Sequence, residues 1–196
     1  VTRYRTIVAD PPWEKPDTGA RTHTPNGRWD TSGAGMAGKS SVTPYEQMTL
    51  AEIEALPIPD LAADDAHLYL WTFGPYIPEA YRLVAAWGFT QSALITGCKK
   101  PMGLGFGGAY VPTTEHVLFA RRGRDIRLRR WDSTWFDFKR PYDRGPIHSA
   151  KPDAFMDIIE QVSPGPRLEM FARRNRLGWD TWGDEALNHV EMPGVA

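Results

Sequence analysis

The stretch Tyr4-Arg-Thr-Ile-Val-Ala-Asp-Pro-Pro-Trp13 decides how the chain is read. Ile7-Val8-Ala9 is a short apolar run cut off by Asp10, Pro11, Pro12 and Trp13. A run of this length, bounded by a breaker, reads as a buried strand of a parallel sheet. Neither proline has an N–H for the ladder, so the chain leaves the sheet at Asp10 on a stiff backbone. In open α/β sheets ligands bind at the carboxyl ends of strands. Here that end carries a carboxylate, two carbonyl oxygens and a flat indole. An aromatic amine suits this set. Asp10 and the carbonyls near Pro11 and Pro12 read as acceptors without a competing donor, and Trp13 as a stacking face. Acceptors on both N–H bonds favour a pyramidal nitrogen whose lone pair points at an electrophile. A proline turn followed by a core tryptophan is the alternative reading of the same residues.

Composition bounds the rest. The 196 residues are enough for one domain with a sizeable core, and 41% of them are apolar, as in a globular chain. The net charge of -1 excludes a polycation, so any nucleic-acid contact must come from a local patch. The single cysteine, Cys98, excludes a disulfide framework and a zinc-finger spacing, and fits a cytoplasmic protein. No signal-peptide pattern and no membrane-spanning apolar run is read.

Residues 14–44 are rich in Gly, Ser, Thr and Pro without apolar periodicity. A loop this long in a compact domain is functional or mobile, and its place after Trp13 makes it the expected lid over the substrate. Within it, Gly33-Ala-Gly-Met-Ala-Gly38-Lys39-Ser40 satisfies the phosphate-loop pattern. Yet Thr22–Trp29 upstream is no buried strand and Pro44 interrupts a following helix, so a flexible loop is the reading. Thr49 and Glu52 form a capping box that opens a short helix ending at Leu56-Pro57. Ala66–Thr72 is the next strand. Pro78–Trp87 is a helix with the apolar stripe Ala80, Leu83, Val84 and Trp87, stopped by Gly88. Thr90–Thr96 and Thr114–Ala120 are further strands, and the alternation predicts a parallel sheet with helical crossovers. Gly103–Gly108 between them is a loop, not a dinucleotide fingerprint, because no helix follows.

Lys99 and Lys100 beside that loop are candidate phosphate contacts. The segment 121–130 holds Arg121, Arg122, Arg124, Arg127, Arg129 and Arg130 against one aspartate. In a chain otherwise near neutral, it is the candidate nucleic-acid backbone contact, with Lys139, Arg140 and Arg144 extending it. Trp131, Trp135 and Phe136 are its candidate stacking surfaces. A solvated turn and core aromatics are the bland alternatives. Lys151-Pro152-Asp153 opens the last long helix, with proline in the first turn and Asp153 at the positive end. Its stripe is Phe155, Ile158, Ile159 and Val162. Lys151 at this helix start reads either as an anion site or as a surface lysine. In the last core strand, Arg167–Ala172, Glu169 breaks the apolar pattern and asks for a partner or ligand. Residues 189–196 read as a frayed tail.

An ordered set of stretches carries a resemblance over nearly the whole chain. They are Asp10–Trp13, Tyr45–Met48, Glu52-Ile53, Leu56–Ile58, His67–Thr72, Ala86–Phe89, Glu115-His116, His148–Asp153, Pro164-Gly165, Leu168–Arg173, Gly178-Trp179 and Trp182-Gly183. The chain resembles the family of the mRNA adenosine methyltransferase large subunit and its bacterial and phage relatives. The resemblance implies a single Rossmann-like α/β sandwich over residues 1–196. Its sheet is expected to be mostly parallel and permuted, with the catalytic motif before the donor-binding motif. It implies methyl transfer from S-adenosylmethionine to the exocyclic N6 amine of adenine, with Asp10, Pro11, Pro12 and Trp13 catalytic. Lys151 is then expected on the donor's carboxylate and Arg173 and Asn175 near its ribose, with Glu169, Asp184 and Glu185 completing the set. Asp184 stands where the family more usually has asparagine. The compact form favours DNA over RNA as substrate. A homodimer or a methyltransferase-like partner is expected, and a non-catalytic nucleic-acid-binding subunit is the competing class.

Overall fold

The computed structural model describes residues 2–14, 22–23, 29–30, 47–99, 110, 113–138, 151–183, 186–187 and 190. The central element is β1 (Tyr4–Ala9), where Ile7, Val8 and Ala9 are at most 2% exposed. Its continuous apolar run has no polar face because both faces of the sheet are covered.

Two two-residue strands, β2 (Thr22–His23) and β3 (Trp29–Asp30), pair antiparallel inside the expected lid. The rest of that segment, including the phosphate-loop pattern and Pro44, lies outside the described residues. Helix α1 (Leu50–Glu54) opens with the expected capping box, both of its reciprocal bonds formed between Thr49 and Glu52. After α2 (Ile58–Leu61) comes β4 (Ala62–Thr72). It starts four residues before the expected Ala66 because Asp64 and Asp65, which spoil the apolar pattern, pair with Arg3 and Arg124.

Helix α3 (Ile77–Ala86) buries the predicted stripe of Ala80, Leu83, Val84 and Trp87, and Gly88 ends it at φ +78°. Strands β5 (Thr90–Lys99), β6 (Thr114–Arg122) and β7 (Trp135–Phe138) follow. Helix α4 (Asp153–Val162) leads into β8 (Arg167–Met170) and β9 (Asp180–Trp182). Pro152 is the N-cap of α4 rather than part of its first turn.

The seven strands form one sheet in the order β7-β5-β6-β4-β1-β8-β9, parallel except for β6, which runs antiparallel between β4 and β5. Strand β8 lies parallel beside β1, so the expected mostly parallel sheet is present. One face packs α1 and α3 through Ile53, Leu83, Val84 and Trp87. The other packs α4 through Phe155, Met156 and Ile159 against Val8, Tyr69, Trp71 and Val117. Val190 packs on the first of these cores, so the expected tail is not frayed throughout. Phe136 stacks on Phe155 at 4.6 Å and belongs to the α4 core, not to a substrate surface.

No helix among the described residues is long and apolar enough to cross a membrane.

Candidate active site

Asp10 leaves the end of β1 with its side chain beside Lys151, two residues before α4. Lys151 Nζ lies 3.0 Å from Asp10 Oδ2 and 3.6 Å from Glu115 Oε2, and 4.5 Å above the Trp71 ring. Three strands and a helix start bring these groups together. Glu115 takes part because β6 is antiparallel: its first residues stand at the edge where the parallel strands end. One ammonium thus faces two carboxylates over an aromatic ring. Burial pushes the Asp10 carboxyl above its ordinary value, Lys151 opposes the shift, and Glu115 adds to it. Burial alone would lower Lys151, but Asp10 and Glu115 outweigh it and hold the ammonium above its usual range.

A cleft of about 470 Å³, counted with its open mouth, begins at Asp10 and runs along the end of β8. Lys151, Glu169 and Arg173 line it, together with Asp153, Met156, Phe171, Arg174 and Arg176. Glu169 makes no side-chain hydrogen bond or ion pair among the described residues, and burial pushes its carboxyl up to about 7. A half-buried carboxylate in this state is poised for a ligand that brings donors to it.

The floor beyond β8 is fixed by a charged clamp. Asp153, Asp157 and Glu160 share one face of α4 at helical spacing. Arg176 pairs with all three, at 2.6 Å for Glu160; Arg174 pairs with Asp153; and Trp179 Nε1 donates to Glu160 at 2.8 Å. The turn after β8 has no glycine of its own. Phe171 adopts φ 63°, the left-handed region, and the following backbone is approached so closely by Gly183 that a Cβ there would lie 2.3 Å from the Ala172 carbonyl. The glycine that this close approach needs is Gly183, the residue after β9.

These features fit S-adenosylmethionine. A cation, Lys151, and an acceptor that has no partner among the described residues, Glu169, both line the cleft, matching a zwitterionic donor with ribose hydroxyls. Val8, Met156 and Met170 supply apolar wall.

The structure corrects several expectations. The Pro11 carbonyl accepts the Trp13 N–H at 2.8 Å and the Pro12 carbonyl accepts the Met48 N–H at 2.9 Å, so neither lacks a donor. Each keeps a second lone pair. Trp13 is 7% exposed and packs in the core, so its face is not open to a base. Asn175 gives its amide to Thr181 and to the backbone of Leu187, bracing a loop instead of lining the cleft.

Arg121 and Arg122 pair with His67 and Ala66, at the sheet edge opposite Asp10. Six residues of strand, about 20 Å, separate Arg121 from Glu115. Arg124 pairs with Asp65, Arg127 with Asp125 and Arg130 with Asp132, while Arg129 bonds Gln161 near the far end of α4. The arginine segment is therefore remote from the cleft, and three of its six arginines have an acidic partner.

Lys100, Lys139, Arg140, Arg144, Asp184, Glu185 and the glycine-rich loop lie outside the described residues, as does the side chain of Lys99. Sequence reasoning missed Glu115, Arg174 and Arg176. Only the reversal of β6 brings Glu115 to Lys151, and acid spacing on α4 was the one sequence signal for the clamp.

The family model MT-A70 matches residues 4–185. The chain belongs to the MT-A70 family. It is 32% identical to "Type II methyltransferase M.MunI" of Mycoplasma sp, over 97% of this chain and 82% of that protein. It is 24% identical to "N(6)-adenine-specific methyltransferase METTL4" of Mus musculus, over 96% of this chain and 39% of that one. It is 28% identical to "N6-methyladenosine RNA methyltransferase MTA1" of Cryphonectria parasitica, over 92% of this chain and 51% of that one. The chain thus spans about half or less of these last two relatives.

Proposed function

We propose that this MT-A70 enzyme, an adenine-N6 methyltransferase, acts on DNA with S-adenosylmethionine as donor. The observation that carries the reading is Asp10 at the tip of the central strand, opening into the same cleft as Lys151 and Glu169. The extended match to a relative named as a Type II methyltransferase, covering most of both chains, favours DNA.

When bound, S-adenosylmethionine supplies a methyl group on a cationic sulfonium. The chain's own residues do the rest. Lys151 would hold the donor's carboxylate and Arg173 its ribose end, and Glu169 would accept from its hydroxyl or ammonium groups. Asp10 accepts one N–H of the adenine amine, and the second lone pair of the Pro11 carbonyl accepts the other. Both bonds turn the nitrogen lone pair out of the ring plane and towards the methyl. Asp10, with its carboxyl raised by burial, is also placed to take the proton that the alkylated nitrogen sheds. Orientation of this kind contributes up to about 7–11 kcal/mol. The base must be single-stranded or flipped from its stack to reach Asp10. A second chain that grips the strand belongs to the same proposal, since the arginine segment stands at the wrong edge.

The test is transfer of tritiated methyl to duplex DNA, single-stranded DNA, RNA and free adenosine. DNA labelled at adenine N6 is the expected product, and labelling of RNA alone sinks the DNA assignment. Asp10→Ala should lower turnover by about a hundredfold or more while donor binding, read by calorimetry, persists.

A further inference from the structure

We propose that Trp13 is a positioning residue: its buried indole ties the tip of β1 to the tip of β4, and the target base is not stacked on it. The inference rests on the methyl-transfer reading above. Trp13 Nε1–H donates to the backbone carbonyl of Trp71 at 3.0 Å, in a buried bond. Its ring stacks on Tyr76 with centroids 5.2 Å apart and planes 26° from parallel. Tyr76 in turn donates its hydroxyl to the Glu14 carbonyl, and Phe73 packs edge-on against it at 5.1 Å. The Met48 N–H on the Pro12 carbonyl adds a bridge from the other side.

Trp71 therefore grips the Asp10–Trp13 turn at both ends. Its carbonyl holds Trp13. Its ring carries the Lys151 ammonium at 4.5 Å, and that ammonium holds Asp10 at 3.0 Å. A turn fixed at both ends keeps the Asp10 carboxylate and the Pro11 carbonyl at one separation. Those are the two acceptors that a single amine nitrogen must reach together. Trp13 does not line the cleft that Asp10 opens into. For a base to stack on the face that Tyr76 covers, Tyr76 would have to leave the ring and Glu14 lose its hydroxyl partner.

The decisive variant replaces Trp13 alone with 3-benzothienylalanine, an indole isostere without the N–H, alongside Trp13→Phe. A ring that stacks on the base survives both changes in large part; an anchor survives neither. The expected result is turnover lower by about ten- to a hundredfold, with KM for nucleic acid and donor affinity within about threefold of the unchanged protein. Unchanged turnover in the benzothienyl variant, or a KM rise without a turnover loss, overturns the proposal. A second measurement does not depend on turnover or on folding of a variant. In protein labelled with 15N-tryptophan, the Trp13 indole N–H should resist deuterium exchange, alone and with excess adenine-containing single-stranded DNA. Fast exchange of that N–H in the free protein overturns the anchor. Failure of the DNA reading would instead appear as an unchanged protein that labels no DNA.

Discussion

At the scale of single residues, two titrating groups, one half-buried and one buried, pull stability in opposite directions over one pH window. Glu169 is raised from its ordinary 4.5 to about 7 by burial. Between those values the folded chain keeps a proton that the unfolded chain releases. Its contribution is thus greatest below pH 4.5 and is lost as pH rises to 7. His67, 1% exposed and held by Ser163 at 2.7 Å, is lowered from 6.5 to about 4 by burial. The folded chain there refuses a proton that the unfolded chain takes. That contribution is complete above pH 6.5 and is lost as pH falls to 4, at about 3 kcal/mol in all. The two slopes offset each other, and Glu169→Gln should unmask the His67 slope. We expect this variant to melt a few degrees higher than the unchanged protein at pH 8 and no higher at pH 4. It should also remove the pH dependence of donor affinity, which in the unchanged protein should strengthen as pH rises through 7. Calorimetry and thermal melts at pH 4, 6 and 8 check both.

At the scale of elements, the cleft is an agreement between α4 and the turn after β8. Arg176 joins them through Asp153, Asp157 and Glu160 with its own side chain only 20% exposed. Charged hydrogen bonds of this kind are worth more than surface ion pairs. Arg176→Ala should cost about 1–3 kcal/mol in denaturant unfolding and raise KM for S-adenosylmethionine about tenfold, with turnover less affected. An unchanged KM would mean the clamp does not set the cleft. The individual elements were legible in the sequence where their causes are local. The capping box needs only Thr49 and Glu52, and α3 needs only its stripe and Gly88. β4 began earlier than expected because its first charges are answered by Arg3 and Arg124, which are distant in sequence.

At the scale of the whole molecule, one reversed strand redistributes the charge. Because β6 runs against its neighbours, its first residues bring Glu115 to Lys151 and its last carry Arg121 and Arg122 to the far edge. That separation of about 20 Å exceeds the screening length of about 8 Å at physiological salt. Arg127→Ala and Arg130→Ala should each change DNA methylation by less than about twofold; a tenfold loss would place the substrate strand across that edge.

The sequence by itself determined the tip of the first strand and the family it announces. A strand stopped by two prolines, a cap and a helical stripe are all written within a few neighbouring positions. Which groups meet was decided by the tertiary structure. The order and direction of seven strands made Glu115 a partner of Lys151, turned Trp13 inward onto Trp71 and carried the arginines away. Those outcomes depend on pairings between residues far apart in the chain, which local pattern does not encode.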